Sequence, residues 1–122
     1  MPAPTRKILK FCNVYLASAS PRRAELIRKI PWLRAAVFPS DVTEPPFSGG
    51  NVAEYARSLA TAKALNVLGK TGGTVIGADT VVTIDGIVLG KPTDAADAER
   101  MFRLLCGRTH EVITGYCVAN EQ

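Results

Sequence analysis

Residues 74–89, TVIGADTVVTIDGIVL, carry the strongest indication of architecture in this sequence. The stretch Thr74–Ile84 is rich in β-branched residues and predicts a strand. Asp85-Gly86 is a dipeptide that favours the tight turn of a β-hairpin, so Ile87–Leu89 is the predicted returning strand. Aspartate is disfavoured inside such a strand, which makes Asp79 a candidate functional residue.

Strands and helices alternate along the chain on both sides of this hairpin. We predict further strands at residues 13–17, 35–38 and 111–118, and helices that begin at Ser20, Asn51 and Thr93 and end near Ile30, Leu68 and Gly107. Ser20 before Pro21 is a strong N-cap pattern, and Gly69 and Gly107 are predicted to follow helix ends. The alternation predicts an α/β domain with a mixed β-sheet and flanking helices.

Two of these helices carry an apolar face with helical periodicity. In the second helix the predicted face contains one cation, Lys63, among the residues Val52, Tyr55, Ala56, Leu59, Ala62 and Asn66. In the third helix, Thr93 is the predicted cap before Asp94 and Asp97, and the predicted apolar face is Ala98, Met101, Phe102 and Leu105. A lysine within an apolar stripe usually extends its ammonium group to water, so Lys63 alone is weak evidence for a site.

The composition is that of one soluble globular domain, with 122 residues, 47% of them apolar and 21% charged. We interpret residues 1–122 as this domain and residues 1–12 as an N-terminal extension. No apolar run approaches the roughly 20 residues that a membrane helix needs, so we expect no membrane association. Cys12, Cys106 and Cys117 form no C-x-x-C pair, which argues against a disulfide framework or zinc site and favours a reducing, cytoplasmic location.

The basic residues are concentrated near the amino terminus. Fifteen Lys and Arg against eleven Asp and Glu give a net charge of +4, and residues 1–34 hold eight of the basic residues but one acid, Glu25. This favours an anionic partner. A nucleotide, a nucleic acid and a solvated basic face are all compatible with the charge. Aromatic residues are few and no nucleic-acid-binding motif is present, so we expect no nucleic-acid partner.

Residues 18–23, SASPRR, are the first candidate site. Arg22 and Arg23 fall in the first turn of the predicted helix, where the partial positive charge of the helix disfavours cations. A bound phosphate would reverse that repulsion, because it would meet backbone N–H groups, the hydroxyls of Ser18 and Ser20, and two guanidinium groups. The alternative is a capped helix with two surface arginines.

Asp79 is the second candidate. A strand carboxylate needs a metal, a cation or a solvent-facing strand end, and it can ligate Mg²⁺ or orient an attacking water. Gly77 allows a ligand or another backbone to approach closely. Glu44 is a weaker candidate for a second metal-binding carboxylate, with an exposed loop glutamate as the alternative. A carboxylate paired structurally within the sheet is the alternative for Asp79.

The candidate site residues include more cations than the carboxylate of Asp79 can neutralise. Lys63, Lys91 in LGKP and Arg108 add to the two arginines of SASPRR, and a polyphosphate ligand would account for the surplus. His110, the only histidine, could be imagined in a triad with Asp79 and a serine. No G-x-S-x-G sequence surrounds Ser18 or Ser20, so we reject a serine hydrolase.

Five motifs, in this order and spacing, resemble the Maf-like nucleoside triphosphate pyrophosphatases. They are SASPRR, LATAKA around Lys63, GADTVV with Asp79, DGIVLGKP with Lys91, and LCGRTHEVITG from Leu105 to Gly115. The resemblance covers residues 14–118. It implies hydrolysis of a nucleoside triphosphate to monophosphate and pyrophosphate, assisted by a divalent metal such as Mg²⁺, in a cytoplasmic homodimer with a Maf/ITPase-like α/β fold.

The resemblance also implies roles for single residues. Asp79 corresponds to the acidic catalytic residue, a proton acceptor and metal ligand, and Glu44 to an acidic position associated with the metal. Arg22 and Thr80 correspond to positions that select the substrate. Further polar positions of the substrate cleft match Ser18, Arg23, Lys63 and Lys91. SPRR and GADT are typical of the branch that prefers thymidine and uridine triphosphates.

The chain departs from the family at its carboxyl end. Family members continue past the GRTHEV strand into a second lobe that contributes to base selection, and the sequence printed here stops at Gln122. We therefore expect a truncated form of the fold. Two alternatives to an enzyme stay open: a catalytically impaired nucleotide-binding or regulatory form, and a small nucleic-acid-binding module.

Overall fold

A computed structural model describes residues 13–121, and the predicted extension at residues 1–12 lies outside this range. Five strands and three helices follow one another along the chain. They are β1 (Val14–Ala17), α1 (Pro21–Arg28), β2 (Ala35–Val37), α2 (Val52–Thr71), β3 (Thr74–Ile84), β4 (Ile87–Leu89), α3 (Ala95–Leu105) and β5 (Glu111–Asn120). The predicted α/β alternation is confirmed.

The five strands form one mixed sheet, as predicted. β1 lies between β2 and β3 and is parallel to both, whereas β4 and β5 are antiparallel to β3. The register pairs Leu16 with Ile76 and Thr80 with Thr114. β3 is thus the longest strand and the one that every strand except β2 contacts.

The core lies between α2 and one face of the sheet. Side chains of α2 pack on the strands in two clusters, one of Ala17, Ala64, Val67 and Val75 and one of Ala56, Leu59 and Val81. The strands present glycines to α2: a Cβ at Gly115 would lie 2.6 Å from the backbone nitrogen of Arg57, and one at Gly77 would collide with the carbonyl oxygen of Ala60. The two glycines let α2 approach β3 closely enough for its side chains to reach across.

Local patterns predicted the first helix start and the hairpin correctly. Ser20 is the N-cap of α1 and Pro21 its first residue, and α1 ends at Arg28, slightly before the predicted Ile30. Asp85 and Gly86 have φ values of 52° and 74°, and β4 pairs with the end of β3. Positive φ at both central positions is what a tight hairpin turn requires.

Three predictions within the helices are wrong. α2 continues through Gly69 to Thr71, because Gly72, with φ of 66°, is the residue that ends it. The predicted α2 face is correct for Ala56 and Leu59, which are buried. It is wrong at Ala62 and Asn66, which are partly exposed, and it omits the buried residues Ala60, Ala64 and Val67. Packing against the glycines of β3 and β5, and not hydropathy alone, selects the buried face.

The third wrong prediction concerns the start of α3. Asp94, not Thr93, is the N-cap: its Oδ1 accepts from the backbone N–H of Asp97 at 2.7 Å. The backbone N–H of Thr93 instead donates to Asp97 Oδ2 at 3.0 Å. A carboxylate one residue further along satisfies the helix start, since Asp caps a helix as well as Thr does.

The apolar face of α3 is not covered. No residue of α3 is buried, and Phe102 is 68% exposed. Large apolar side chains are also exposed on β5, where Val112, Tyr116 and Val118 lie on the sheet face away from α2. The predicted apolar face of α3 therefore exists as a pattern, but in the described range its residues are at most partly buried. No helix within residues 13–121 has the length and hydrophobicity that crossing a bilayer would require.

Candidate functional site

One edge of β3 is interrupted in its strand pairing. On this edge β1 pairs with residues 74–77 and β4 with residues 82–84, while β5 pairs along residues 74–83 on the opposite edge. Within residues 13–121, residues 78–81 thus have no strand neighbour on the first edge, and we call this stretch the β3 gap. It lies at the carboxyl end of β1, the end at which open α/β sheets bind ligands.

Asp79 lies in the β3 gap on the face covered by α2, where it pairs with Lys63. Lys63 Nζ is 2.6 Å from Asp79 Oδ1 and 3.3 Å from Glu44 Oε2. The side chains are 17% exposed for Lys63, 9% for Asp79 and 43% for Glu44. One ammonium group therefore holds two carboxylates, and we call these three residues the carboxylate half of the site.

Lys63 contacts one of the two oxygens of Asp79. Among residues 13–121, the hydrogen bond to this carboxylate is the one that Lys63 Nζ donates to Oδ1. Lys63 thus fixes one oxygen of the carboxylate and leaves the other able to accept a proton or bind a ligand.

Tyr55 lies next to the carboxylate half. Its hydroxyl donates to the carbonyl oxygen of Pro45 at 2.7 Å, and its ring packs edge-on against Phe47 with centroids 5.2 Å apart. Burial raises the pKa of Tyr55 above its ordinary value of 10.0, and the negative charges of Glu44 and Asp79 raise it further. The phenol is therefore a neutral donor that anchors the loop carrying Glu44.

Arg23 folds back from α1 onto β3. Its Nη1 donates to the carbonyl oxygen of Ala78 at 3.2 Å and to Ser18 Oγ at 3.5 Å, and its Nη2 donates to Thr80 Oγ1 at 2.7 Å. All three acceptors are neutral, and no carboxylate in the described range pairs with Arg23. The guanidinium group thus ties the SASPRR segment to the β3 gap and leaves an unneutralised positive charge there.

Ser18 and Ser20 shape the turn from β1 into α1. Ser18 is buried, and its Oγ accepts from the backbone N–H of Ser20 at 3.1 Å. The Oγ of Ser20 accepts from the backbone N–H of Arg23 at 3.3 Å, as expected of an N-cap. Both hydroxyls already support the local backbone, and a phosphate contact for either one stays a prediction.

Thr80 points to the opposite face of the sheet from Asp79, because neighbouring residues of a strand alternate. Its Oγ1 lies 2.9 Å from Oγ1 of Thr114, which is its register partner on β5. We call Arg23, Thr80 and Thr114 the hydroxyl half of the site. Asp79 and Thr80 are neighbours in the β3 gap, so the carboxylate half and the hydroxyl half lie on opposite faces of the same stretch of β3.

Other predicted cations do not join these groups. Arg22 and Lys91 are exposed and make no hydrogen bond or ion pair with another described residue. Arg108 pairs with Asp85 at the hairpin, and His110 is exposed. Substrate roles for Arg22 and Lys91 therefore stay predictions that rest on the family resemblance.

Asp79 and Glu44 are the residues that could hold a divalent metal. Among residues 13–121, no three His, Cys, Asp or Glu side chains cluster closely enough to form a metal site by themselves. Both carboxylates reach the same ammonium group, so they converge on one point. This donor set suits Mg²⁺ in the presence of a polyphosphate, since Mg²⁺ commonly binds one or two carboxylates together with substrate phosphates.

Two cavities lie away from these residues. One of about 650 Å³ lies at the amino end of β1 and β2 and is lined by Asn13, Arg28 and Arg34. Another of about 450 Å³ lies between Tyr55 and the hairpin. Neither is lined by Asp79, Lys63 or Arg23. We assign the site to the β3 gap because the charged groups and the carboxyl end of β1 coincide there.

Sequence analysis missed Thr114 and Tyr55 as site residues. Both contacts depend on tertiary packing: Thr114 reaches Thr80 through the β3–β5 register, and Tyr55 reaches the loop carrying Glu44 from α2. The period of two along GRTHEVITG could have placed Thr114 on a strand face. It could not have named the partner strand.

Comparisons with known proteins identify the family. A family profile described as Maf-like protein matches residues 13–122. The chain is 52% identical over 107 residues to the dTTP/UTP pyrophosphatase of Thermococcus gammatolerans, a match that covers 87% of this chain and 56% of that protein. It is 41% identical over 115 residues to the protein of the same name from Citrifermentans bemidjiense, with 93% and 59% covered.

One solved structure is also similar. The nucleoside-triphosphatase / dITP/XTP pyrophosphatase of Mycobacterium abscessus has 16% identity and a TM-score of 0.48, over 88% of this chain and 73% of that chain. The chain spans somewhat more than half the length of the curated relatives it matches. Since the family profile covers nearly the whole chain and the relatives exceed 40% identity, this chain belongs to the Maf-like protein family.

Proposed function

We propose that this chain hydrolyses nucleoside triphosphates between the α and β phosphates, giving a monophosphate and pyrophosphate. The observation that carries the proposal is the arrangement at the β3 gap. A largely buried carboxylate, Asp79, is held there by Lys63, and an arginine without a carboxylate partner, Arg23, lies on the neighbouring segment. The positive charge of Arg23 would bind the phosphates of a polyanion, and the carboxylate of Asp79 would accept a proton from the attacking water.

The proposed chemistry needs one base and a stabilised leaving group. The Asp79 oxygen that does not contact Lys63, Oδ2, takes a proton from a water molecule as the water oxygen bonds to the α-phosphorus. The bond from the α-phosphorus to the bridging oxygen breaks, and pyrophosphate leaves with the electron pair. Lys63 holds and orients Asp79 through its contact with Oδ1, and Arg22, Arg23 and Lys91 are proposed to offset charge on the phosphates.

A divalent metal is part of the proposal. Asp79 and Glu44, together with phosphate oxygens, would hold Mg²⁺, which when bound supplies neutralisation of phosphate charge. The chain's own contribution is to hold both carboxylates at one point through Lys63 Nζ.

For the substrate we propose uridine and thymidine triphosphates or their modified forms. The support is that relatives with 40–52% identity are named dTTP/UTP pyrophosphatase. Arg22 and Thr80, which resemble the selecting positions of that branch, are both exposed and able to meet a ligand. A homodimer and a cytoplasmic location belong to the same proposal and rest on the resemblance.

A second candidate is a nucleotide-binding or regulatory form without turnover. The observation that favours it is Arg23, whose charge no carboxylate of the described range offsets, because such a cation can bind a polyphosphate whether or not turnover follows. A chain of this kind would bind triphosphates through the cations of the β3 gap and release no pyrophosphate.

The test is pyrophosphate release from a panel of nucleoside triphosphates with Mg²⁺. We expect release from UTP and dTTP, and a loss of about 10²–10⁴ in rate for Asp79→Asn if Asp79 is the base. Asp85→Asn is the matched control, since Asp85 is an exposed aspartate in the turn that follows β3 and Asn tolerates its positive φ.

Three results would each overturn part of this proposal. Triphosphate binding without pyrophosphate release would favour the regulatory form. Equal turnover by Asp79→Asn and by the unaltered chain would remove Asp79 from the role of base, and an equal loss in Asp85→Asn would show that the effect is not local to the β3 gap.

A further inference from the structure

The hydroxyl half of the site has one hydrogen-bond donor available to a ligand, and this follows from counting the hydroxyl protons of its two threonines. Thr80 and Thr114 together carry two hydroxyl protons, and their mutual hydrogen bond at 2.9 Å uses one of them. Arg23 has no acceptor capacity, so its Nη2 must donate to Thr80 at 2.7 Å. One hydroxyl proton therefore remains available to a ligand.

This result does not depend on which threonine donates to the other. If Thr80 donates to Thr114, the remaining proton is on Thr114. If Thr114 donates to Thr80, the remaining proton is on Thr80, which then accepts two hydrogen bonds. In both arrangements the free hydroxyl is the last member of a chain of hydrogen bonds that begins at the Arg23 guanidinium. Such a chain polarises the hydroxyl and strengthens it as a donor.

The surroundings of the pair suit a flat, partly apolar group. Both threonines are exposed on the sheet face away from Asp79 and Lys63. On β5, Val112 and Tyr116 lie on either side of Thr114 on the same face, and both are exposed, Tyr116 to 73%. A phosphate would gain little from these side chains, whereas a nucleobase ring could lie against them.

We propose that Thr114 is a specificity-determining residue that donates, alone or through Thr80, to the position-4 carbonyl oxygen of a pyrimidine base, with Arg23 as the positioning residue that polarises the pair. The inference rests on the proposed function and extends it. Uracil and thymine carry at position 4 a carbonyl, which accepts a hydrogen bond. Cytosine carries at this position an amino group, which donates hydrogen bonds and does not accept one from a hydroxyl. The polarised donor therefore favours the two keto pyrimidines over cytosine.

The test measures equilibrium binding, so it does not need turnover. The probes are analogues of UTP and CTP in which nitrogen replaces the bridging oxygen between the α and β phosphates. We expect the unaltered chain to prefer the uracil analogue. Thr114→Val should weaken uracil binding by about fivefold, the size of one net hydrogen bond, and leave cytosine binding within about twofold. Thr114→Ser keeps the hydroxyl and should keep the preference.

Arg23→Lys provides an independent arm. A lysine retains the charge but cannot span the carbonyl of Ala78 and the hydroxyl of Thr80 with one planar group. We expect it to reduce the uracil preference, and we expect the double variant Arg23→Lys, Thr114→Val to lose little more than either single variant does. Melting temperatures of all variants verify that the fold is kept.

The outcomes separate this inference from the proposed function. If the unaltered chain binds neither analogue, the nucleotide proposal fails and this inference fails with it. If it binds both but Thr114→Val keeps the uracil preference, only this inference is overturned. An equal loss for both analogues would mean that the threonine pair contacts a group that the two nucleotides share, such as a phosphate oxygen or the position-2 carbonyl, which also overturns it.

Discussion

Lys63 reaches Asp79 because two glycines bring helix and sheet together. Lys63 Nζ lies 2.6 Å from Asp79 Oδ1, and Lys63 lies between Ala60 and Ala64, the α2 residues against which Gly77 packs. A lysine on an apolar helix face would otherwise extend to water. The ion pair at the centre of the site is therefore a product of close backbone packing.

Loss of Lys63 should destabilise the fold. Lys63→Met leaves the mostly buried carboxylate of Asp79 without its partner, and we expect the free energy of unfolding to fall by about 1–3 kcal/mol in urea denaturation. Lys70→Met is the control on the same helix. Lys70 pairs with the exposed Asp41 at 2.8 Å, and exposed pairs contribute about 0.2–1 kcal/mol. Equal losses in the two variants would contradict a special role for Lys63.

Replacing Gly77 or Gly69 by alanine should change the stability of the fold in opposite directions. Gly77→Ala forces a Cβ into the backbone of α2, and overpacking of this kind costs about 1–3 kcal/mol. Gly69→Ala lies in the interior of α2 with nothing within 4 Å of the new atom, and helix propensity favours Ala by about 1 kcal/mol. Denaturant midpoints measure both changes, and a neutral Gly77→Ala would refute the close approach of α2.

Metal binding should depend on the nucleotide. Asp79 and Glu44 share one ammonium group, so Mg²⁺ alone finds only two carboxylates and a competing cation. We expect weak Mn²⁺ binding by electron paramagnetic resonance without nucleotide, and at least about tenfold tighter binding with a non-hydrolysable triphosphate. Lys63→Met should strengthen Mn²⁺ binding in the absence of nucleotide. Tight metal binding by the unaltered chain alone would disagree with this account.

Asp97 should titrate at unusually low pH. The backbone N–H of Thr93 is the main cause that lowers the pKa of Asp97 below its ordinary value of 3.8, and Arg100 lowers it further. Since the pKa is lower in the folded state, the stabilisation of α3 is present above pH 3.8 and is lost as the pH falls through the folded pKa. Carboxyl ¹³C shifts against pH measure the midpoint, and a midpoint at or above 3.8 would count against the contact.

Local sequence predicted those features that depend on a few neighbouring residues. Ser20-Pro21 gave the start of α1 and Asp85-Gly86 the hairpin, because capping and positive φ are short-range requirements. Thr93 failed because two adjacent residues could both cap α3, and propensity does not choose between them. The buried face of α2 was predicted only in part: Ala56 and Leu59 are buried as expected, but the remaining buried positions depend on the packing against Gly77 and Gly115 on other elements.

The residues of the candidate site could be predicted from local sequence, but most of the contacts between them could not. Asp79, Lys63 and Glu44 were each singled out, and the structure brings them together. Arg23 was expected to face a phosphate, and the structure turns its guanidinium towards Ala78, 55 positions along the chain. No local pattern specifies a contact of that separation, and Thr114 was missed because its partner strand follows from register alone.

The β3 gap also sets which kinds of sequence change this strand can accept. Its four residues span roughly 13 Å at about 3.3 Å per residue, and both of its limits are strand pairings. Inserting or deleting one residue there would move Asp79 or Thr80 to the wrong side of the sheet and shift β4 against β5. Homologues can therefore exchange side chains along this segment, but we expect its length to be invariant.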